Sequence, residues 1–304
     1  MRLLLIGASS YLGGHVRRTA EAAGTGVVAS GRSPSRSGGM DVRLDLAADP
    51  VSRIREVVSG ADAVVNCAGA TRGSAAELSD ANVTAVRRLL AALLGLESPP
   101  RLVHVGSAAE YGPGTPGVPL AETARARPAS LYGVTKLAGT QLVELGRAAG
   151  LDAVSLRVFN VVGAGAPSGT LPGDAAGQLR RLPPGVHGQL RLGPLDGVRD
   201  FVDARDVADA VLAAAAAPAL PAAIVNVGSG AGQPARTLIG HLIAASGREV
   251  TVTETAEGAS GAARSPALSW QQADIGRALR DFGWRPRHDL ADAARDLWEG
   301  ACLA

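Results

Sequence analysis

The opening of the chain constrains its fold most. A short apolar run, Leu3-Leu4-Leu5-Ile6, passes directly into Gly7-Ala8-Ser9-Ser10-Tyr11-Leu12-Gly13-Gly14 and then into a stretch with helical period. A buried strand that turns at once into a helix aims the helix's unpaired first N–H groups, and its positive dipole end, at the turn. Gly7 permits the tight turn, and Gly13 lets the helix lie close on the strand. The alternation continues. Apolar runs at Val27–Ser30, Val42–Leu46, Ala63–Asn66 and Leu102–Val105 are separated by helical stretches at Leu12–Ala23, Val51–Val58 and Ala75–Leu94. Leu131–Ala149 follows as a helix and Ala153–Phe159 as a strand. Alternation of this kind predicts an α/β fold, a Rossmann-like doubly wound parallel sheet with right-handed crossovers.

From Gly163 to Gly197 the chain turns to Gly, Pro, Arg and Leu with weak periodicity, which predicts substrate-facing loops and a short helix near Ala175–Leu182. Arg205–Ala217 reads as a helix and Ile224–Val227 as a strand. The remainder mixes a helix (Leu238–Ala245), a strand (Val250–Glu254) and helices near Ile275–Phe282 and Leu290–Glu299.

Composition removes several classes of function. A net charge of +2 offers no single-sign field, so neither nucleic acid nor an anionic membrane is expected as a partner. Cys67 and Cys302 are too few for a disulfide framework, the histidines are scattered, and no metal is expected. The apolar start is too short for a secretory signal, and the alanine-rich run to Ala217 falls short of the ~20 residues of a membrane span. The expected compartment is the cytoplasm. No Gly-x-Ser-x-Gly elbow points to serine hydrolysis.

The opening loop suits a dinucleotide, with Gly7, Ser9, Ser10, Tyr11, Leu12 and Gly13 around its pyrophosphate. The second strand ends Ala29-Ser30-Gly31-Arg32. An acidic residue there would accept from a ribose 2′-hydroxyl and repel a 2′-phosphate; Arg32 does the reverse, favouring NADP over NAD. Asp45 and Leu46 after the third strand, and Cys67, Ala68 and Gly69 after the fourth, stand where strand ends meet adenine and ribose. Asn82, in the helix that follows, is counted with them. We divide the chain accordingly into an NADP-binding domain (1–163 and 200–228) and a smaller C-terminal α/β substrate lobe (164–199 and 229–304).

One residue stands out from the composition. Lysine and arginine together number 30, yet Lys136 is the only lysine. It lies four residues after Tyr132, one of three tyrosines, which places both on one helix face. Chance would put a sole lysine at that offset about once in a hundred such chains. A phenol with a pKa near its usual ~10 shuttles protons poorly at neutral pH, and a neighbouring ammonium lowers that value. A compact ammonium can also bond a ribose hydroxyl, which a guanidinium fork does less well. Tyr132 is therefore the expected general acid, with Lys136 beside it in contact with both phenol and cofactor. Ser107, after the fifth strand, is the expected donor to the substrate oxygen.

By these residues, the chain resembles the extended short-chain dehydrogenase/reductase family, the branch acting on nucleotide-diphosphate sugars. Its glycine loop follows the family's pattern with Ser10 for the middle glycine. Ser107 to Gly112 resembles the catalytic serine segment, and Tyr132 with Lys136 its Tyr-x-x-x-Lys pair. Arg157–Gly163 resembles the strand whose Asn160 faces the substrate, and Arg199–Asp203 with Asp206–Ala208 the stretch carrying a diphosphate-binding Arg199. Asn226–Gly230 and Phe282–Pro286 complete the likeness. The resemblance implies substrate contacts from Ser107, Ala108, Asn160, Arg191 and Arg199, with Arg180 and Arg181 as further candidates, and a homodimer built on the helices Ala75–Leu94 and Leu131–Ala149.

Departures narrow the activity. Family dehydratases carry an acid one or two places after the serine; Ala108 and Ala109 stand here and cannot move a proton. Glu110 is expected to point away from the site. Family epimerases hold NAD with an acid after the second strand, which is missing. The segment Leu192–Phe201 is most similar to 4-ketoreductases of deoxysugar pathways. The expected activity is NADPH-dependent reduction of a keto group on a nucleotide-linked 4-keto-6-deoxyhexose. A nucleotide-sugar 4-epimerase and a ketoreductase of a polyketide or other aglycone are the enzymatic alternatives. A non-catalytic NADP-binding regulator is the alternative outside catalysis.

Overall fold

The computed structural model describes residues 1–32, 41–255 and 270–302. The opening gives β1 (Arg2–Ile6), a turn, and α1 (Tyr11–Ala22). Next come β2 (Gly26–Gly31), β3 (Val42–Arg43), α2 (Val51–Val58), β4 (Ala63–Asn66), α3 (Ala75–Ser79), α4 (Ala85–Leu94), β5 (Arg101–Ser107), α5 (Leu131–Ala148) and β6 (Ala153–Val158). Further along, α7 (Ala204–Ala216) and β10 (Ile224–Val227) return to this layer. The main sheet is parallel and runs β10-β6-β5-β4-β1-β2-β3. Strand order reverses between β1 and β4, and the crevice opened by such a reversal is where α/β sheets bind their ligands.

Burial on both faces explains why these strands read as continuous apolar runs instead of alternating ones. Leu3, Leu5, Val65 and Val103 pack with α1 and α7 on one side, and Leu4, Val64 and Leu102 with α2 and α4 on the other. The expected limits of α2, β4 and β10 coincide with the observed ones. The third strand is shorter than expected because Asp45 turns the chain: its Oδ1 accepts from the Ala47 amide and its own amide donates to Asp49. The helix expected over Ala75–Leu94 contains a π-helical turn, Asp80–Thr84, between α3 and α4. Asn82, within that turn, points inward.

A second group of elements is built from short pieces. They are β7 (Asn160–Val162), α6 (Leu171–Arg181), β8 (Gly188–Leu192), β9 (Val198–Asp203), β11 (Gly232–Pro234), α8 (Ala235–Ser246), β12 (Val250–Glu254), α9 (Gly276–Phe282) and α10 (Leu290–Cys302). β7 pairs in parallel with Phe201–Asp203 of β9, and β11 joins β9 on its other side. A separate pair joins β8 to β12. Leu179, Leu190, Leu238 and Leu297 form the core of this lobe. No helix among the described residues is long and apolar enough to cross a membrane.

Two sets of bonds tie the layers. From α1, the Tyr11 hydroxyl donates to the Gly163 carbonyl (3.2 Å), and the His15 Nε2 lies 2.8 Å from the Ala164 carbonyl. The buried carboxylate of Asp206, on α7, accepts from the His288 amide (3.0 Å) and pairs with its Nδ1 (2.8 Å). The Trp284 indole donates to the Asp206 carbonyl (3.0 Å). Asp206→Ala would release the 284–288 segment from α7. The expected result is a loss of about 2–4 kcal/mol in urea unfolding, with His288 left unpaired.

Candidate active site

The cofactor end of the site is a cradle without side chains. Gly7 has φ +81°, and a Cβ there would lie 2.6 Å from the Ala68 amide nitrogen, across the β1–β4 crevice. A Cβ on Gly13 would lie 2.1 Å from the Gly7 carbonyl oxygen. Both strand-end loops therefore touch backbone to backbone, and α1 points its first N–H groups at the gap. Ser10, which departs from the family pattern, caps that helix: its Oγ accepts from the Gly13 amide (3.1 Å). Its side chain thus serves the turn. These features fit a dinucleotide, with the pyrophosphate on the α1 N-terminus.

The remaining cofactor candidates fall into three groups. Ser9, Gly69 and Arg32 are exposed, while Leu12, Asp45, Cys67 and Ala68 are half-buried along the crevice. Arg43 brings its Nε 3.4 Å from the Arg32 carbonyl, so a second arginine stands beside the first at the end of β2. Other expected contacts are used inside the protein. Leu46 is buried in the core beneath α2, and the Tyr11 hydroxyl is turned to Gly163. Asn82 is buried and acts on the loop after β4: it accepts from the Ala70 amide (3.0 Å) and donates to the Ala70 carbonyl (2.8 Å) and to Thr135 Oγ1 (3.0 Å). It joins the cofactor loop to α5.

Ser107, Tyr132 and Lys136 lie on two elements that pack together, the end of β5 and the first turns of α5. Ser107 ends β5. The first turn of α5 lies against the next residues, because a Cβ on Gly133 would sit 2.5 Å from the Ala109 carbonyl oxygen. Lys136 is 6% exposed and its Nζ donates to the Val105 carbonyl at 2.7 Å. That bond anchors α5 to the strand two residues before the serine, and it uses one of three ammonium protons. Ser130 caps the helix through the Gly133 amide, so Tyr132 sits within the first turn, half-buried.

Two buried pairs supporting these residues were not expected from the sequence. Asn66 donates to His104 Nδ1 (3.2 Å) and accepts from the Ala68 amide (3.1 Å), shaping the loop after β4. Burial and the nearby Lys136 hold His104 well below the ordinary histidine range, hence neutral. Glu110 turns beneath the strand to Arg157, 47 residues away. No local pattern announces either pair; each requires the sheet register to be known.

On the substrate side, Ala108 is buried against Tyr111 and Phe159. Asn160 directs its amide to the Asp200 carbonyl (3.1 Å). Arg199 is half-buried, its guanidinium donating to the adjacent Val198 carbonyl, and desolvation lowers its pKa. Arg191 lies on the exposed face of β8, bonded to Gln189 (2.9 Å), and Arg180 and Arg181 are exposed at the end of α6. Asp200 is buried without a cationic partner and is satisfied by the amides of Ser229, Gly230 and Ala273 and the Ser229 hydroxyl. It shapes the 228–230 turn. Among the described residues no group of three or more His, Cys, Asp or Glu could hold a metal ion.

A parallel sheet with a glycine cradle at its switch point, beside a Ser–Tyr–Lys set, defines a nucleotide-dependent oxidoreductase of the short-chain dehydrogenase/reductase type. The chain matches the NAD dependent epimerase/dehydratase family over residues 3–228 and belongs to it. It is 42% identical over 250 residues to a dTDP-6-deoxy-L-talose 4-dehydrogenase (NAD(P)(+)) of Kitasatospora kifunensis, covering 80% of this chain and 76% of that one. It is 34% identical over 234 residues to a UDP-glucose 4-epimerase of Streptomyces lividans, covering 72% and 68%. The structure of MoeE5 in complex with UDP-glucuronic acid and NAD superposes with a TM-score of 0.83 over 100% of this chain and 99% of that one, at 24% identity.

Gly13→Ala is expected to weaken binding of the nicotinamide dinucleotide at least tenfold, since the Gly7 backbone cannot yield. Gly14→Ala, whose Cβ would meet only the Arg18 guanidinium at 3.5 Å, should bind normally. Titration of NADPH fluorescence distinguishes the two.

Proposed function

We propose that this enzyme reduces the keto group of a nucleotide-diphosphate-linked 4-keto-6-deoxyhexose, with NADPH as the hydride donor. The observation that carries the reading is the chain's sole lysine, buried against the serine-bearing strand on the same helix as Tyr132. The bound nicotinamide would supply the hydride. Ser107 would donate to the substrate carbonyl, polarising it and holding it in place. Tyr132 would deliver the proton to the oxygen as charge develops there. Lys136, with two ammonium protons free of Val105, would bond the nicotinamide ribose. Arg199, partly desolvated and at the edge of β9, suits the diphosphate, and a guanidinium gives that anion a bidentate partner.

The Kitasatospora kifunensis relative is named for oxidation at C4 of a dTDP-linked 6-deoxyhexose, and ketone reduction is that reaction reversed. Its name also admits either cofactor. Arg32, with Arg43 next to it, favours the 2′-phosphate of NADPH. A 4-epimerase is the second reading, supported by the Streptomyces lividans relative. An epimerase would retain NAD through purification and need no added reductant. A homodimer through α4 and α5 is also proposed, since Leu94, Val134 and Leu145 are exposed there.

Turnover of a dTDP-4-keto-6-deoxyhexose, measured as loss of NADPH absorbance, tests the reading. Tyr132→Phe and Lys136→Arg should each lose roughly 10²–10⁴ in kcat while the folded protein persists. Parent-like rates in either variant would exclude the mechanism. Arg32→Ala should raise KM for NADPH about tenfold, one charge-assisted bond being lost, and leave KM for NADH unchanged. A preference for NADH in the parent enzyme would overturn the cofactor assignment.

A further inference from the structure

Beneath Ser107 lies an ion pair that the reaction itself does not use. Glu110 is 0% exposed and Arg157 3%, and their side chains meet at 2.7 Å. The other Glu110 oxygen accepts from the Ser107 amide (2.8 Å) and from Thr140 Oγ1 (3.0 Å). Arg157 stacks its guanidinium 4.4 Å from the Tyr111 ring centroid, and Tyr111 in turn donates to Asn226 (2.7 Å). Thr140 stands one turn beyond Lys136 on α5, and its hydroxyl is 2.8 Å from that of Ser155 on β6. One carboxylate therefore joins β5, α5 and β6 at the level of the reacting groups.

Stability alone does not account for this arrangement. A Ser–x–x–Glu cap closes a turn equally well in water, whereas a buried ion pair commonly does no better for stability than apolar residues of the same volume. Space is also reserved for it: a Cβ on Gly106 would lie 2.8 Å from the Glu110 oxygen. Held this way, the short turn after β5 fixes Ser107 at both ends of its peptide. Its amide is bonded to Glu110, and its Oγ accepts from the Ala109 amide (3.2 Å), which limits how the hydroxyl can rotate.

We infer that Glu110, locked by Arg157, is a positioning residue for Ser107: it sets where the serine hydroxyl meets the substrate oxygen. The inference rests on the catalytic role given to Ser107 above. An ångström of misplacement at a reacting group costs roughly a hundredfold in rate, so the effect belongs in kcat and depends on the serine being present.

A double-mutant cycle separates positioning from general support. Glu110→Gln should lower kcat roughly ten- to hundredfold, leave KM for the keto sugar within about twofold, and leave the NADPH dissociation constant unchanged. In a Ser107→Ala background the same substitution should cost less than about twofold, because nothing remains to be positioned. If Glu110→Gln does not fold, the paired change Glu110→Leu with Arg157→Met removes both charges together and enters the same cycle. Equal losses with and without the serine, or no loss at all, would overturn the inference while leaving the proposed function intact. Parent-like activity in Ser107→Ala would remove both.

Discussion

The bond from the Lys136 ammonium to the Val105 carbonyl is the contact on which the site's geometry turns. Desolvating an ammonium is expensive, and a backbone carbonyl at 2.7 Å offsets only part of the cost. The consequence is geometric. With its Lys136 turn bonded to β5, α5 must present Tyr132 near the strand's end, and Gly133 must lack a side chain for the helix to approach Ala109. The candidate residues on β5 and α5 are brought close because a charge is buried between two elements that the sheet has already aligned.

That requirement also explains why the site is readable in the sequence. In a chain that uses arginine nearly everywhere, the one lysine is buried between β5 and α5. The surviving lysine marks the position. The strands of the main sheet are equally plain, because burial on both faces makes them unbroken apolar runs, and Gly7 and Gly13 stand where a Cβ would strike backbone.

What escapes the sequence is nonlocal. Glu110 reads as an acid pointing away from the chemistry, and it does, but only pairing of β5 with β6 reveals Arg157 as its destination. Asn82 reads as a cofactor ligand because of where its helix lies; the π-helical turn rotates it toward Ala70 and Thr135. The small strands of the lobe are only three to six residues long, so their pairing depends on partners far along the chain, such as Val198 with Pro234. Asp200, beside Arg199, is a buried hub only because backbone amides from two other segments converge on it.

Tyr11 and His15 give α1 a second duty. The helix that would receive the pyrophosphate also carries, on its opposite flank, the carbonyls of Gly163 and Ala164, just past the strand that bears Asn160. Those two bonds join α1 directly to the loop after β7, and any coupling they carry between two ligands would be equal in either direction.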